Sequence, residues 1–371
     1  MHRCLLAMLL AVYGAAPAKA DDLVVRIGSA APLSGSIAHL GRGNANGVRL
    51  ALEDANALGV RIGGKPVRFE LLSEDDGANP RTGVTVAKRL IAAGVSGVVG
   101  HLNSGTTLPA SRLYASAGVP MISPSATSVE LTGKGLSGIF RTIANDTRQG
   151  AVLGHFVVDT LGGRRVAIVD DHTPYGRGLA DEAARAVQAA GGEIVAREST
   201  TDRATDFTGL LTRVRATRPD VVMFGGMDAQ GGPMLHQVRQ LGIDAIFVTG
   251  DGGCSREFLR LAGDDSDDAL YCTMSGVPLD AMPGGPDFRD RFEARFGDPV
   301  QLYSPYAYDA AMALVHAIRR AGSSDPVRFL PVLRSNVFQG VTGNIAFDAS
   351  GDVKEGAITV YRHENGRWVA Q

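Results

Sequence analysis

The sequence predicts an α/β protein built from two Rossmann-like lobes, and three observations carry that prediction. Short runs of β-forming residues alternate with amphipathic segments of helical length, the pattern of parallel sheets covered on both faces. The alternation comes as two series, the second opening with a helix near residue 149. The chain has 371 residues, more than the roughly 250–300 that one hydrophobic core usually serves.

In order, residues 23–31 read as a strand, because Val24, Val25 and Ile27 favour β-structure and Pro32 and Gly35 follow as breakers. Residues 44–58 read as a helix: Val48, Ala51, Leu52, Ala55 and Leu58 share a face, while Arg49, Glu53 and Asp54 lie elsewhere. A strand at 67–73, a helix at 80–93, a strand at 98–100, a helix at 105–117 and a strand at 119–123 complete the first series. The second has helices at 149–161, 178–190, 207–216 and 233–241, alternating with strands at 165–169, 194–199, 221–224 and 246–249. Beyond Cys272 helices are expected at 288–296, 305–321 and 327–334, then strands at 343–347 and 357–362, with Asn365-Gly366 as a hairpin turn. Crossings between lobes are expected at 142–146, near Gly276 and at 348–352, leaving a cleft between sheet ends. Open α/β sheets bind ligands at the carboxyl ends of their strands.

Composition narrows the function. Lys+Arg 37 against Asp+Glu 39 gives a net charge of -2, which argues against nucleic-acid binding through a basic surface. The N-terminus reads as a secretory signal peptide: Met1-His2-Arg3, an apolar run over 4–12 too short to cross a bilayer, and Ala18-Lys19-Ala20 before Asp21. Cleavage near Ala20 removes Arg3, Lys19 and Cys4, so the net charge of the mature chain becomes -4. Cys254 and Cys272 then remain; an even pair in an oxidising compartment suggests a disulfide, with two buried thiols as the alternative.

Two polar turns follow strands. Gly100-His101-Leu102-Asn103-Ser104-Gly105 opens a helix, with Ser104 placed as its N-cap. The same position suits an anion, since free N–H groups and the helix dipole favour a carboxylate. Ser123-Pro124-Ser125-Ala126-Thr127-Ser128 supplies further hydroxyls from the same lobe. No phosphate-loop, zinc-peptidase, nucleophile-elbow or metal-ligand spacing occurs, so neither an enzyme nor a metal or cofactor is expected. The acidic run 264–268 lacks the glycine and distal glutamate of a calcium loop and reads as a solvated turn.

These turns, with Met121-Ile122-Ser123-Pro124, Glu130-Leu131-Thr132, Pro32-Leu33-Ser34-Gly35, Arg141-Thr142, Asp170-Asp171 and Tyr175-Gly176, closely resemble the periplasmic Leu/Ile/Val-binding proteins of ABC importers. The resemblance implies a type I periplasmic-binding fold with three hinge crossings. Residues 21–143 and 276–350 would form lobe one, and 144–275 and 351–371 lobe two. It implies that Ser104 and Thr127, with nearby N–H groups, hold a ligand carboxylate. Asp251, the Thr127 hydroxyl and the Ser125 carbonyl would hold its ammonium, with Ala126 between them. Tyr175 would close from lobe two, with Leu40, Met227 and Tyr306 lining the pocket. Better-known members carry Glu at position 251 and aromatics at 40 and 227, so the side-chain half of the pocket is altered. Ala78 and Asn103 stand where those members have a disulfide, while the Cys254/Cys272 pair resembles that of another branch. The implied protein is a monomeric periplasmic receptor that closes on a branched-chain or other aliphatic amino acid and delivers it to an ABC permease. An exported ligand-sensing subunit, a binder of amides or aromatic acids, and a secreted α/β enzyme are the alternatives.

Overall fold

The computed structural model describes residues 22–267 and 269–371. The expected signal peptide and Asp268 lie outside the described residues.

The first series folds as β1 (Leu23–Ala31), α1 (Ala38–Ala57), β2 (Arg61–Ile62), β3 (Lys65–Asp75), α2 (Pro80–Ala92), β4 (Gly97–Gly100), α3 (Ser104–Ser116), β5 (Met121–Ser123), α4 (Glu130–Gly133) and β6 (Ile139–Arg141). The second folds as α5 (Asp146–His155), β7 (Arg165–Asp170), α6 (Pro174–Ala189), β8 (Glu193–Ser199), α7 (Thr208–Ala216), β9 (Val221–Gly225), α8 (Asp228–Gln240), β10 (Ile246–Thr249), α9 (Arg256–Ala262) and β11 (Leu270–Ser275). There follow α10 (Gly285–Phe296), α11 (Ser304–Ala321), α12 (Pro326–Ser335), β12 (Phe338–Gln339), β13 (Asn344–Ile345), β14 (Ile358–Glu364) and β15 (Arg367–Ala370).

One sheet has the order β2-β3-β1-β4-β5-β6, the other β15-β14-β11-β10-β9-β7-β8. Both have a parallel body. The departures are at the edges: β2 runs antiparallel to β3, and β14 and β15 form an antiparallel hairpin against β11. The second sheet is therefore mixed, because the expected Asn365-Gly366 turn returns the chain directly. The expected strand at 343–347 shrinks to β13, paired with β12 alone.

The chain leaves the first sheet after β6, returns after β11, and crosses again before β14. Helices α10 and α11 lie on the first sheet: Phe288, Phe292, Leu314 and Ile318 share a core with Val25, Ile27 and Val48 of β1 and α1. A second core packs Leu211, Met234 and Phe258 on Val222, Phe224 and Phe247. A further apolar cluster is continuous between the lobes, joining Ile37, Leu40 and Leu102 to Tyr175, Leu179 and Met227. Cys254 and Cys272 form a disulfide, tying the turn after β10 to β11.

Candidate functional site

The parallel strands of both sheets send their carboxyl ends toward one cavity of about 110 Å³. Its first-sheet wall comes from Ser36 and Ile37 after β1, Ala78 and Pro80 after β3, Leu102 to Gly105 after β4, and Ser125 after β5. The facing wall comes from Asp171, Thr173 and Tyr175 after β7, Asp202 after β8, Met227 and Gln230 after β9, and Asp251 after β10. Tyr303, just before α11, completes it.

The two polar turns are knitted together beneath this cavity. Ser123 Oγ donates to the His101 carbonyl at 2.9 Å and accepts from Ala126 N at 2.9 Å. Ser125 Oγ donates to the Leu102 carbonyl at 3.1 Å. Ser104 Oγ accepts from Ser128 N at 3.3 Å. His101 is fully buried between Asp76, 2.7 Å from Nδ1, and the Tyr114 hydroxyl, 3.2 Å from Nε2, so it anchors the first turn. Ser104 is the first residue of α3 rather than its cap. Asn103 holds the cap position without a side-chain bond, and its buried Oδ1 has no partner. Thr106 N and Thr107 N donate to the Asn103 carbonyl, and the N–H groups of Ser104 and Gly105 ahead of them, with the helix dipole, make this wall a donor surface.

The opposite wall carries acids. Asp251 is fully buried, and each carboxylate oxygen accepts a phenol: Tyr175 to Oδ1 and Tyr303 to Oδ2, both at 2.8 Å. Gly252 N donates to the Tyr175 hydroxyl at 2.9 Å, which fixes the ring. Burial raises the Asp251 pKa against the lowering effect of the two phenols. Gln149 lies close enough to lower it further, yet neither its amide nitrogen nor its oxygen reaches hydrogen-bonding geometry. No Lys or Arg pairs with Asp251 among the described residues. Asp171 is pushed up to about 6, chiefly by burial. Its Oδ1 takes the N–H and hydroxyl of Thr173, at 2.9 and 2.6 Å, and its buried Oδ2 has no partner. A side chain at Gly176 would meet Asp171 Oδ1 at 2.2 Å, so only glycine lets the turn before Tyr175 close.

Deeper, at the crossing after β6, Asp146 is buried with neither oxygen hydrogen-bonded, and burial pushes its pKa up to about 8. Thr127 lies beside it, close enough to oppose that rise but outside strict hydrogen-bonding geometry; its Oγ1 has no partner. The two backbones are bonded, Asp146 N donating to Thr127 O at 2.9 Å.

Ser104, Ser125, Tyr175, Met227 and Asp251 thus lie around one cavity. Thr127, Ala126 and Leu40 are buried behind its surface rather than lining it. Tyr306 is placed elsewhere: its hydroxyl donates to the Ser275 carbonyl at 2.6 Å, in a separate cavity of about 370 Å³ lined by the crossings. Tyr303, nearly one turn earlier, takes the cleft position. The sequence reading missed it, and also Asp171, Asp146 and Gln149. The pair Asp170-Asp171 after a strand was a usable signal; Tyr303 had none, because its partner is 52 residues away. Among the described residues no group of three or more His, Cys, Asp or Glu side chains could hold a metal, and no helix is long and apolar enough to cross a membrane.

Two α/β lobes whose strands point into a shared polar cavity, joined by three crossings, define the type I periplasmic-binding fold. The chain belongs to the periplasmic binding protein family, whose sequence profile matches residues 24–367. It is 34% identical over 361 residues to the leucine-, isoleucine-, valine-, threonine-, and alanine-binding protein of Pseudomonas aeruginosa, covering 97% of this chain and 95% of that one. The leucine-binding protein LivK of Thermotoga maritima superposes with a TM-score of 0.86 at 26% identity, over 94% of this chain and 97% of that one. The branched-chain amino acid transporter substrate-binding protein LivJ of Streptococcus pneumoniae, solved with isoleucine, gives 0.82 at 28% identity, over 94% and 100%. The chain is accordingly a binding protein rather than an enzyme.

Proposed function

We propose that the chain is the exported receptor of an ABC importer and binds a small amino acid between its lobes. The observation that carries this reading is Asp251: a carboxylate buried in a ligand-sized cavity, held by two phenols and by no Lys or Arg among the described residues. A buried anion without a counter-charge is costly, and a ligand ammonium supplies that charge. The zwitterion's carboxylate then falls toward Ser104 and the first turn of α3, where N–H groups and the dipole favour it. Thr127 stands behind both ends with an unused hydroxyl. Ile37, Leu102, Pro174 and Met227 surround an aliphatic side chain.

Lobe one comprises residues 21–143 and 276–350, and lobe two the remainder of the mature chain. Closure makes both sets of contacts at once, so ligand shifts the population toward the closed form. That form is what the membrane permease accepts, and delivery occurs in the periplasm. The relatives' amino-acid-binding names support this reading. Thermal melting of the mature protein with each of the proteinogenic amino acids tests it: a binder raises the melting temperature with concentration. No shift with any amino acid would refute it.

A second reading concerns side-chain preference. Asn103 Oδ1 and Asp171 Oδ2 are buried, unpartnered and in residues that line the cavity. They favour a small ligand that carries a donor, so a larger shift with threonine than with leucine supports this second reading.

A further inference from the structure

One polar cluster beside the cleft joins the two lobes and has no part in the ligand contacts described above. His39, in the first turn of α1, places Nε2 2.9 Å from Oδ2 of Asp228. Asp228 opens α8 on the other lobe, and its side chain is fully buried. Ser255, the cap of α9, donates to the same oxygen at 2.6 Å, while Asp228 Oδ1 has no partner. The start of a thirteen-residue helix favours a carboxylate. Even so, among the described ion pairs Asp228 has His39 alone. Glu257 on α9 also feels His39, and Tyr303 feels Asp228.

The cluster is wired to the cavity through the chain. Ile37, two residues before His39, and Met227, immediately before Asp228, both line it. The distance between His39 and Asp228 therefore governs how closely Met227 approaches Ile37. We propose that His39 is a positioning residue for ligand capture: its bond to Asp228 latches the lobes beside the cleft and holds Met227 over the ligand. In the open form Asp228 regains water and needs no partner. In the closed form without His39 it would be a buried carboxylate with one hydroxyl donor. Loss of His39 thus penalises closure and leaves each lobe intact.

The ligand arm of the test rests on the proposed function; the conformational arm does not. Spin labels at Arg81→Cys and Arg177→Cys, exposed on α2 and α6 at opposite sides of the mouth, report lobe separation in the ligand-free mature chain. The native cysteines are occupied by their disulfide. Wild type should show a short-distance component, and His39→Ala should lower the ratio of short to long distances by about tenfold, the worth of one hydrogen bond to a charged acceptor. His39→Gln, which keeps a donor, should restore part of it, and melting temperatures without ligand should match wild type. With L-leucine as probe, His39→Ala should raise the dissociation rate by a similar factor and barely change association. If wild type ignores L-leucine, that reading of the ligand fails while the distance measurement still decides the latch. Identical distance distributions in wild type and His39→Ala, or a lowered melting temperature with no change in them, would overturn the latch.

Discussion

Replacing Asp251 by Asn should separate binding from stability in opposite directions. The side chain keeps its shape, and the Tyr175 and Tyr303 hydroxyls, both 2.8 Å away, keep a polar neighbour. What disappears is the charge. A ligand ammonium closed into the cavity is then buried without a counter-charge, a loss of about 2–5 kcal/mol, or roughly 30-fold to several-thousand-fold in Kd. The ligand-free protein responds the other way. Burial raises the Asp251 pKa above its ordinary 3.8, so the native state holds its proton more tightly than the unfolded chain does. Stability is then full below the unfolded value and declines as pH climbs toward the raised one. Asn carries no such penalty, so at neutral pH the ligand-free variant should melt at or above the wild-type temperature. Isothermal titration with whichever amino acid gives the largest thermal shift, alongside ligand-free melts, reads both quantities. Affinity within about twofold of wild type would mean that no buried ammonium contacts Asp251, since removing the partner of a buried charge costs about 2–5 kcal/mol.

Ser104→Ala should weaken the same ligand by about 1–3 kcal/mol, because it removes a buried hydroxyl at the carboxylate end; an unchanged titration would reduce Ser104 to its bond with Ser128 N. Asp146→Asn should flatten part of the pH dependence of stability. With a native pKa of about 8 against 3.8 unfolded, wild type loses stability as pH rises from about 4 to about 8, and the variant's advantage should grow across that window in urea melts at stepped pH. Equal slopes would show that Asp146 ionises normally. The double variant Cys254→Ala, Cys272→Ala opens a bridge of sequence separation 18 and should cost about 3 kcal/mol in denaturant titrations; a wild-type midpoint would remove the bridge from the stability of the second lobe.

Much of the fold was legible because parallel strands buried on both faces leave continuous apolar runs, as in β7, β9 and β10. Helix starts were less so. The periodicity placed the first helix at 44, whereas α1 begins at Ala38. Gly41 and Gly43 lie ahead of that expected start, and with Gly47 they are contact points: a side chain at Gly43 would meet Gln301 at 2.6 Å, and one at Gly47 the Ser304 carbonyl at 2.3 Å. Tertiary packing against α11 thus sets aside their poor helix propensity. Similarly α8 begins at Asp228 and carries Pro233 inside it, five residues after the start, where only one internal hydrogen bond is lost. The turns after β4 and β5 were legible as polar strand ends. The pairs that cross the cleft were not: His39 and Asp228 are 189 residues apart, and no local pattern records such a meeting.

The cleft must also be held in shape when it is empty, and Arg141 shows how. It is fully buried, and its Nη1 donates to the carbonyls of Ala126 and Ser128 at 3.0 and 2.9 Å, on either side of Thr127. Nη2 donates to Thr132 at 2.7 Å, and Nε to Asp352 at 2.5 Å. Asp352 accepts in turn from Asn145, the cap of α5. One guanidinium therefore ties the hydroxyl-bearing turn to the first and third crossings. Removing it would leave Asp352 without its cation and two buried carbonyls without this donor, the costly way to break a buried ion pair. The arrangement explains why an unused hydroxyl at Thr127 persists: the framework behind its turn is over-determined, so the site can keep an unsatisfied group poised for an incoming ligand. A looser framework would let Thr127 turn to Asp146 and complete that bond, leaving the turn one fewer unused hydroxyl to present.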